Sequence, residues 1–297
     1  MSLVDAYYEI ICHHRRWYES FESTNNLAAL RDRWEKSLIH QPESAICEAM
    51  VREELEKHVD VVFPNEGVSH GGPDFQCFVK LPTGQATFFV EVTCITIDAA
   101  TKETCLSNNI GGPPTSFGLL TSRFKDECRN KAKQLADLSA PGLLAISTLH
   151  SAAGSLCFRE NAAECVLTSE TLITQKIDTT TGDPVGSMFL TTKMDKSPFQ
   201  RPGKVDPWVL EDALRSISGL LLCPYPSAES SCMRGVLHPN PARPFDHNLL
   251  PKVPFTSIRW ANNTIELTHL NVEKKTPPPP PAPAKSKLWT PYDGFAP

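Results

Sequence analysis

The sequence predicts an α/β protein with a mixed central sheet flanked by helices. Between residues 43 and 148, amphipathic helical patterns alternate with short apolar runs. Two of these runs flank a Pro-Thr-Gly turn, which is typical of an antiparallel hairpin. A further run at 143–148, LLAIST, is continuously apolar, as strands buried on both faces are. These three observations set the fold class.

The composition is that of an ordinary globular protein, with 40% hydrophobic and 21% charged residues in 297. No run approaches the ~18 apolar residues of a membrane span. The ten cysteines are scattered singly, and the N-terminal basic residues follow the apolar part, which is not the order of a signal peptide. We therefore expect a cytoplasmic protein with reduced thiols. Cys12 and His13-His14 are interpreted as helix surface and not as a zinc site.

Residues 1–42 are predicted to form an N-terminal helical segment. Apolar residues recur at helical spacing over 4–18 and 26–39. The arginines of these patterns are interpreted as lying on solvated outer faces.

The core is predicted to span residues 43–150. Pro42 opens a helix over 43–58, because proline is tolerated at a helix start. The β-branched run at 59–64 and the two runs at 74–80 and 86–97 indicate three strands. A Gly/Pro-rich loop is expected at 98–118, a helix at 119–138 and a buried strand at 143–148.

Residues 151–272 are predicted to form a C-terminal lobe, and one alternative is that this lobe extends the central sheet. Short strands are expected within 163–190, and a helix from residue 206 leads into the apolar run GLLLC. The run PFTSIRW at 254–260 is expected to form an edge strand. The Pro-rich tail at 273–297 is predicted to be flexible, and its segment 277–283 is an alternative ligand for a proline-binding partner.

One carboxylate stands out inside a predicted strand. Glu91 lies between Val90 and Val92, and a buried charge must be paired or bind a metal to offset its desolvation. If the hairpin pairs as predicted, Asp74 approaches Glu91 across the sheet. Two converging carboxylates favour a divalent cation between them. The alternatives are that Asp74 is a turn residue after Gly-Gly-Pro and that Glu91 forms a structural ion pair.

Pro73-Asp74, then Glu91-Val92-Thr93 on the next strand, and the lysine-bearing helix that follows resemble the PD-(D/E)XK restriction-endonuclease-like superfamily. The resemblance covers residues 43–148 and includes the order helix, three strands, helix, strand. It implies a restriction-endonuclease-like core and a nuclease that hydrolyses nucleic-acid phosphodiester bonds, with DNA favoured. The implied cofactor is Mg²⁺, with Mn²⁺ as a substitute.

The resemblance also implies roles for individual acids. Asp74 and Glu91 correspond to the metal ligands, and the backbone carbonyl of Val92 corresponds to a further ligand. Glu48, on the first core helix, matches an auxiliary acid in some members.

The motif departs from the superfamily at Thr93, where a lysine that contacts the attacking water is usual. A threonine hydroxyl can orient water but supplies no positive charge. Within the superfamily this lysine sometimes comes from the next helix, so Lys131 with Gln134 beside it is the favoured replacement. Lys133 is the second candidate.

The same helix carries a basic strip that is a candidate nucleic-acid-binding surface. Its members other than Lys131 are Arg123, Lys125, Arg129 and Lys133. The alternative is an ordinary solvated helix face.

Two further readings of the whole chain stay open. In one, the chain is a catalytically degenerate member that binds nucleic acid or a protein without cutting. In the other, it is an interaction protein in which Asp74 and Glu91 are paired internally.

Overall fold

The computed structural model describes residues 2–21, 27–65, 72–104, 117–151, 170–178, 180–181, 184–193, 197–202, 204, 210–223, 233–261 and 264–271. The predicted Pro-rich tail and its proline-motif segment 277–283 lie outside these residues. The statements below concern the described ranges.

Four helices precede the first strand: α1 Leu3–Ala6, α2 Tyr8–Glu19, α3 Leu27–His40 and α4 Pro42–Glu56. The first begins at a capping box, in which Ser2 and Asp5 bond each other's backbone N–H groups. A single helix was predicted over 4–18, but Tyr7, with φ −114° and ψ 23°, ends the first turn and divides it. Pro42 stands in the first turn of α4, as predicted.

Eight strands form one mixed sheet, in the order β1-β2-β3-β4-β9-β10-β11-β12. The strands are β1 Val61–Pro64, β2 Phe75–Leu81, β3 Gly84–Cys94, β4 Gly142–Ser147, β5 Glu170–Ile177, β6 Pro184–Lys193, β7 Gln200–Pro202, β8 Leu210–Asp212, β9 Gly219–Leu222, β10 Arg234–Leu237, β11 Phe255–Ala261 and β12 Thr264–Leu270. The remaining four strands pair as two separate hairpins, β5 with β6 and β7 with β8. The predicted α/β class with a mixed central sheet is confirmed.

Strand direction changes along the sheet. The neighbours β1, β2 and β3 are antiparallel, whereas β3, β4 and β9 are parallel. Beyond β9 the pairing is antiparallel to β10, parallel to β11 and antiparallel to β12. The last four strands of the chain therefore continue the sheet that the first four begin. The segment PFTSIRW was predicted to be an edge strand, but β11 is an inner strand because β12 covers its outer side.

Each face of the sheet has its own apolar core. On one face, Phe75, Phe88 and Val90 pack with residues of α2, α3 and α4. On the other face, Leu144 and Leu220 pack with the helix α6 (Phe117–Lys131). Since neighbouring residues of a strand point to opposite faces, Glu91 and Thr93 of β3 point toward α6.

Two predicted boundaries around α6 were wrong. The helix α5 (Ile97–Thr104) begins at the last residue of the predicted strand 86–97 and occupies the start of the predicted loop 98–118, because the Thr96 hydroxyl accepts from Ala99 N–H at 3.2 Å and caps it. The predicted helix 119–138 ends at Lys131, and residues 132–137 form turns.

The helix predicted from residue 206 is also wrong over the described residues 210–218. Leu210–Asp212 is a strand, and Leu214 adopts φ 55°, which helical backbone does not. Tertiary hydrogen bonds override the local preference, since Asp212 accepts from Gln200 Nε2 at 3.0 Å and from Asn240 Nδ2 at 2.6 Å. The predicted GLLLC strand is present as β9.

Candidate active site

Asp74 and Glu91 lie opposite each other where the β2–β3 hairpin ends. The register pairs Phe75 with Val90, so one further step places Asp74 across from Glu91 on the same face. The Val92 N–H donates to Asp74 Oδ2 at 2.8 Å and fixes its carboxylate. The two carboxyl groups are within hydrogen-bonding contact of each other. The predicted approach of Asp74 to Glu91 across the hairpin is present.

Glu91 is buried, with 2% of its surface exposed. One oxygen, Oε1, accepts a hydrogen bond from Lys131 Nζ at 2.5 Å. The other, Oε2, is buried and has no hydrogen-bond donor in the part of the chain that the structure describes. A buried oxygen without a donor is costly, and a cation or a shared proton would satisfy it.

The electrostatics of this pair follow from burial and from the neighbouring charges. Burial, and then the charge of Asp74, raise the pKa of Glu91 to about 8 although Lys131 opposes the rise. Burial also raises the pKa of Asp74, against the Val92 N–H, Lys131 and Arg33. Two facing carboxylates do not both ionise at neutral pH unless a cation joins them.

Lys131 is the lysine that the structure brings to the acids. It is the last residue of α6, and its side chain is 27% exposed. Burial lowers its pKa, but Glu91, Asp74 and Glu127 outweigh this, so the net shift is upward and the ammonium is charged. Lys133, the second candidate, lies beyond the helix end and is exposed. Of the two, Lys131 makes the contact with Glu91.

Thr93 occupies the motif position where a lysine is usual, and it has an acidic partner. Its hydroxyl donates to Glu127 Oε2 at 2.8 Å, and both side chains are buried. The other oxygen of Glu127 pairs with Arg123 Nη2 at 2.7 Å. The sequence interpretation missed Glu127, although it lies four residues before Lys131 and therefore on the same side of α6.

Glu48 of α4 adds a third acid to the electrostatics of the site. Burial chiefly raises its pKa, and the charges of Asp74 and Glu91 raise it further. Tyr18 OH donates to Glu48 Oε1 at 3.4 Å. Tyr18 was interpreted only as part of a helical apolar pattern, so its polar contact was missed.

His14 of α2 faces Glu48 and is fully buried, contrary to its interpretation as helix surface. Arg52 Nε–H donates to His14 Nδ1 at 3.3 Å, so in the neutral ring the hydrogen lies on Nε2, which faces Glu48 Oε1 at 3.9 Å. Burial, and then Arg52, lower the pKa of His14 and keep it neutral. The sequence around His14, including the adjacent His13, does not predict that His14 is buried.

The predicted basic strip is largely paired with acids of the chain. Arg123 pairs with Glu127, Arg129 pairs with Asp126 at 3.4 Å, and Lys131 pairs with Glu91. Lys125 is half-buried and also interacts within the chain. Within the strip, Arg129 and Lys133 are exposed.

Gln134, predicted beside Lys131, lies in the turn after α6. Its N–H donates to the Lys131 carbonyl at 3.0 Å, which places it one turn beyond the helix end. Its side-chain Oε1 is buried and lacks a donor among the described residues. Within the described ranges, no hydrogen bond joins the Gln134 side chain to Glu91.

The residues present fit some metal ions better than others. Among the described residues, no three His, Cys, Asp or Glu side chains converge to hold a metal ion. The donors at hand are the Asp74 and Glu91 carboxylates and the Val92 carbonyl, which points to the same side of β3 as the N–H that meets Asp74. Mg²⁺ takes one or two carboxylates and keeps several waters, so this set fits Mg²⁺ or Mn²⁺ but is not a closed zinc site.

Comparison with known proteins yields no relative: no protein-family model, no curated protein and no solved structure matches the chain. None of the helices in the described ranges has the length and apolar character that a membrane crossing requires. The case for function therefore depends on the geometry of the site.

Proposed function

We propose that the chain is a metal-dependent nuclease of the PD-(D/E)XK kind that hydrolyses phosphodiester bonds, with DNA as its substrate. The observation that carries the proposal is the contact between the Asp74 and Glu91 carboxyls, with Lys131 on one Glu91 oxygen and, among the described residues, no donor on the other. The order α4, three antiparallel strands, α6 and a strand parallel to the third, with the short helix α5 inserted before α6, is compatible with a restriction-endonuclease-like core and supports the proposal.

The acids of the hairpin would hold the metal. Asp74, Glu91 and the Val92 carbonyl are its ligands in this proposal, and Mg²⁺ or Mn²⁺ is the ion. A bound ion of this kind lowers the pKa of a water and stabilises charge that develops on the phosphate. Glu48 is the auxiliary acid, and it accepts a hydrogen bond from Tyr18.

Lys131 and Thr93 share the task of the usual motif lysine. Lys131 supplies the positive charge beside Glu91. Because the Thr93 hydroxyl gives its hydrogen to Glu127, its lone pairs are left to accept a hydrogen bond from a water. The proposed nucleic-acid contacts are Arg123, Lys125, Arg129 and Lys133, of which Arg129 and Lys133 are exposed.

The test is a cleavage assay on labelled DNA and RNA with Mg²⁺ or Mn²⁺. We expect cleavage of DNA by the wild type, and a loss of at least about 100-fold in Asp74→Asn and Glu91→Gln, because each removes a charged metal ligand. Asp126→Asn is the matched control, since Asp126 is an exposed acid on α6 and should retain activity. Cleavage that survives both site changes would overturn the proposal, and cleavage of RNA alone would overturn the choice of DNA.

A second candidate is a nuclease-fold protein that binds nucleic acid or a protein without cutting. The observation that favours it concerns the position where a lysine is usual. Thr93 carries no charge there, and its hydroxyl is already bonded to Glu127. It predicts salt-sensitive DNA binding by the wild type without metal-dependent cleavage. Reversing the charge of Lys133 should weaken that binding, whereas an unchanged affinity would contradict it.

For the compartment, we propose the cytoplasm. The described cysteines are free thiols, which supports a reducing environment.

A further inference from the structure

Two cysteines from different elements meet behind the acidic site. Cys47 lies on α4, Cys94 is the last residue of β3, and their Sγ atoms are 3.1 Å apart. Both are free thiols, Cys47 fully buried and Cys94 half-buried. A disulfide bond is about 2.05 Å long, so the two sulfurs need to approach by only about 1 Å.

We propose that Cys47 and Cys94 form a redox modification site that closes to a disulfide on oxidation by a peroxide. The helix and strand that carry them already pack against each other, since both residues belong to the same apolar core. Closure therefore requires a small shift of side chains and not a rearrangement of the chain.

The half-buried thiol is the one that the oxidant reaches. The Cys94 sulfur attacks a peroxide oxygen: a sulfur–oxygen bond forms, the oxygen–oxygen bond breaks, and the departing hydroxide takes up the proton of the Cys94 thiol as water. The Cys47 sulfur then attacks the Cys94 sulfur: the sulfur–sulfur bond forms, the sulfur–oxygen bond breaks, and a second water leaves with the Cys47 proton. A dithiol and one peroxide become one disulfide and two waters.

The bond would join the helix that carries Glu48 to the strand that carries Glu91 and Thr93. Glu48 follows Cys47 directly, and Thr93 precedes Cys94. Oxidation would thus fix α4 on β3 at the site. This site stands on its own geometry and does not depend on whether the chain is a nuclease.

Peptide mapping tests the pairing on the intact chain. The folded protein is treated with hydrogen peroxide, its remaining thiols are blocked, and it is digested with trypsin. The two cysteines fall in separate tryptic peptides, 37–52 and 81–102, each with a single cysteine. We expect these two peptides joined, with the loss of two hydrogen atoms, and separated again by a reductant.

Thermal unfolding gives a second readout. The oxidised wild type should unfold at a Tm roughly 5 °C or more above that of the reduced protein, because the bond closes a long loop. Cys94→Ala should remove that rise. Cys128→Ala is the matched control, because Cys128 is a buried thiol on the opposite face and should retain it.

Three outcomes would overturn the proposal. One is full alkylation of Cys47 and Cys94 after peroxide treatment of the folded wild type. Another is a link from peptide 37–52 to 216–234, which carries Cys223, in place of 81–102. The third is a Tm rise that persists in Cys94→Ala. The mapping uses the wild type, so it decides the question even if a variant fails to fold.

Discussion

Lys131 donates to Glu91 Oε1 at 2.5 Å, and its charge also opposes the rise in pKa that burial imposes on Asp74, so one ammonium serves two facing acids. Glu91 comes from a strand and Lys131 from the end of the helix that crosses over to the next parallel strand. The site is therefore one cation short of full charge compensation when both acids ionise. The predictions below follow from that imbalance.

Folding stability should fall as pH rises through neutrality. Burial, and then Asp74, raise the pKa of Glu91 from 4.5 in the unfolded chain to about 8 in the folded chain, so the folded state binds the extra proton between these values. The stabilisation is complete below about pH 4.5 and is lost as pH rises through about 8, at up to about 1.4 kcal/mol per pH unit. Urea titrations from pH 5 to 8 should show this slope in the wild type and a flatter one in Glu91→Gln. Equal slopes would contradict the shift.

Removing the shared ammonium should destabilise the fold. Lys131→Met keeps the length of the side chain but leaves Glu91 with no counter-ion, at a cost of about 2–3 kcal/mol at pH 8. The cost should be smaller at pH 5, where Glu91 is protonated. Lys133→Met is the control and should lie within about 0.5 kcal/mol of the wild type, because Lys133 is exposed. Similar unfolding midpoints for the two variants would show that the Lys131 contact carries no stability.

A divalent cation should stabilise the protein independently of any activity. Ligand at 100 times its Kd contributes about 2.7 kcal/mol, which corresponds to a Tm rise of roughly 5–10 °C for a chain of this size. Differential scanning fluorimetry with Mg²⁺ or Mn²⁺ at pH 8 should show that rise in the wild type and in Lys133→Met. Asp74→Asn should lose it. A rise of equal size in Asp74→Asn would place the bound ion elsewhere.

The Thr93 hydroxyl should contribute more to the free energy of unfolding than the Thr93 methyl group does. Thr93→Val removes the donor to Glu127 Oε2 and leaves a buried carboxylate oxygen unsatisfied, at a cost of about 1–3 kcal/mol. Thr93→Ser retains the donor, so it should recover most of that loss. Chemical denaturation of the two variants gives the comparison, and a serine variant no more stable than the valine variant would count against the hydrogen bond.

Local patterns predicted the hairpin and the acids well. The period-2 alternation of β3 placed Glu91 and Thr93 on one face, and the short turn placed Asp74 within reach of Glu91. The sequence favoured Lys131 over Lys133 through the resemblance alone, because the physical choice between them depends on where α6 ends. That end is set by the packing of residues 132–137 and not by a strong local stop signal.

Contacts between elements that are far apart in the sequence could not be predicted from local patterns. His14 and Tyr18 approach Glu48 only because α2 packs on α4. The sequence around these two residues does not predict that either faces a polar side chain. The helix expected from residue 206 is absent over residues 210–218 for the same reason. Asp212 accepts hydrogen bonds from the side chains of Gln200 and Asn240, which lie outside that segment. Tertiary hydrogen bonds decided both cases.

The turn between β2 and β3 has a consequence for the order in which the chain folds. Only residues 82 and 83 separate the strands, so Asp74 and Glu91 meet as soon as this hairpin closes. Lys131 is 40 residues beyond Glu91, and it arrives only with the slower parallel pairing of β4. The two acids therefore repel each other before Lys131 arrives to neutralise their charge. We expect refolding in stopped-flow fluorescence to be faster at pH 5 than at pH 8, with a smaller difference in Glu91→Gln. If the variant keeps the full difference, the hairpin does not close ahead of the helix.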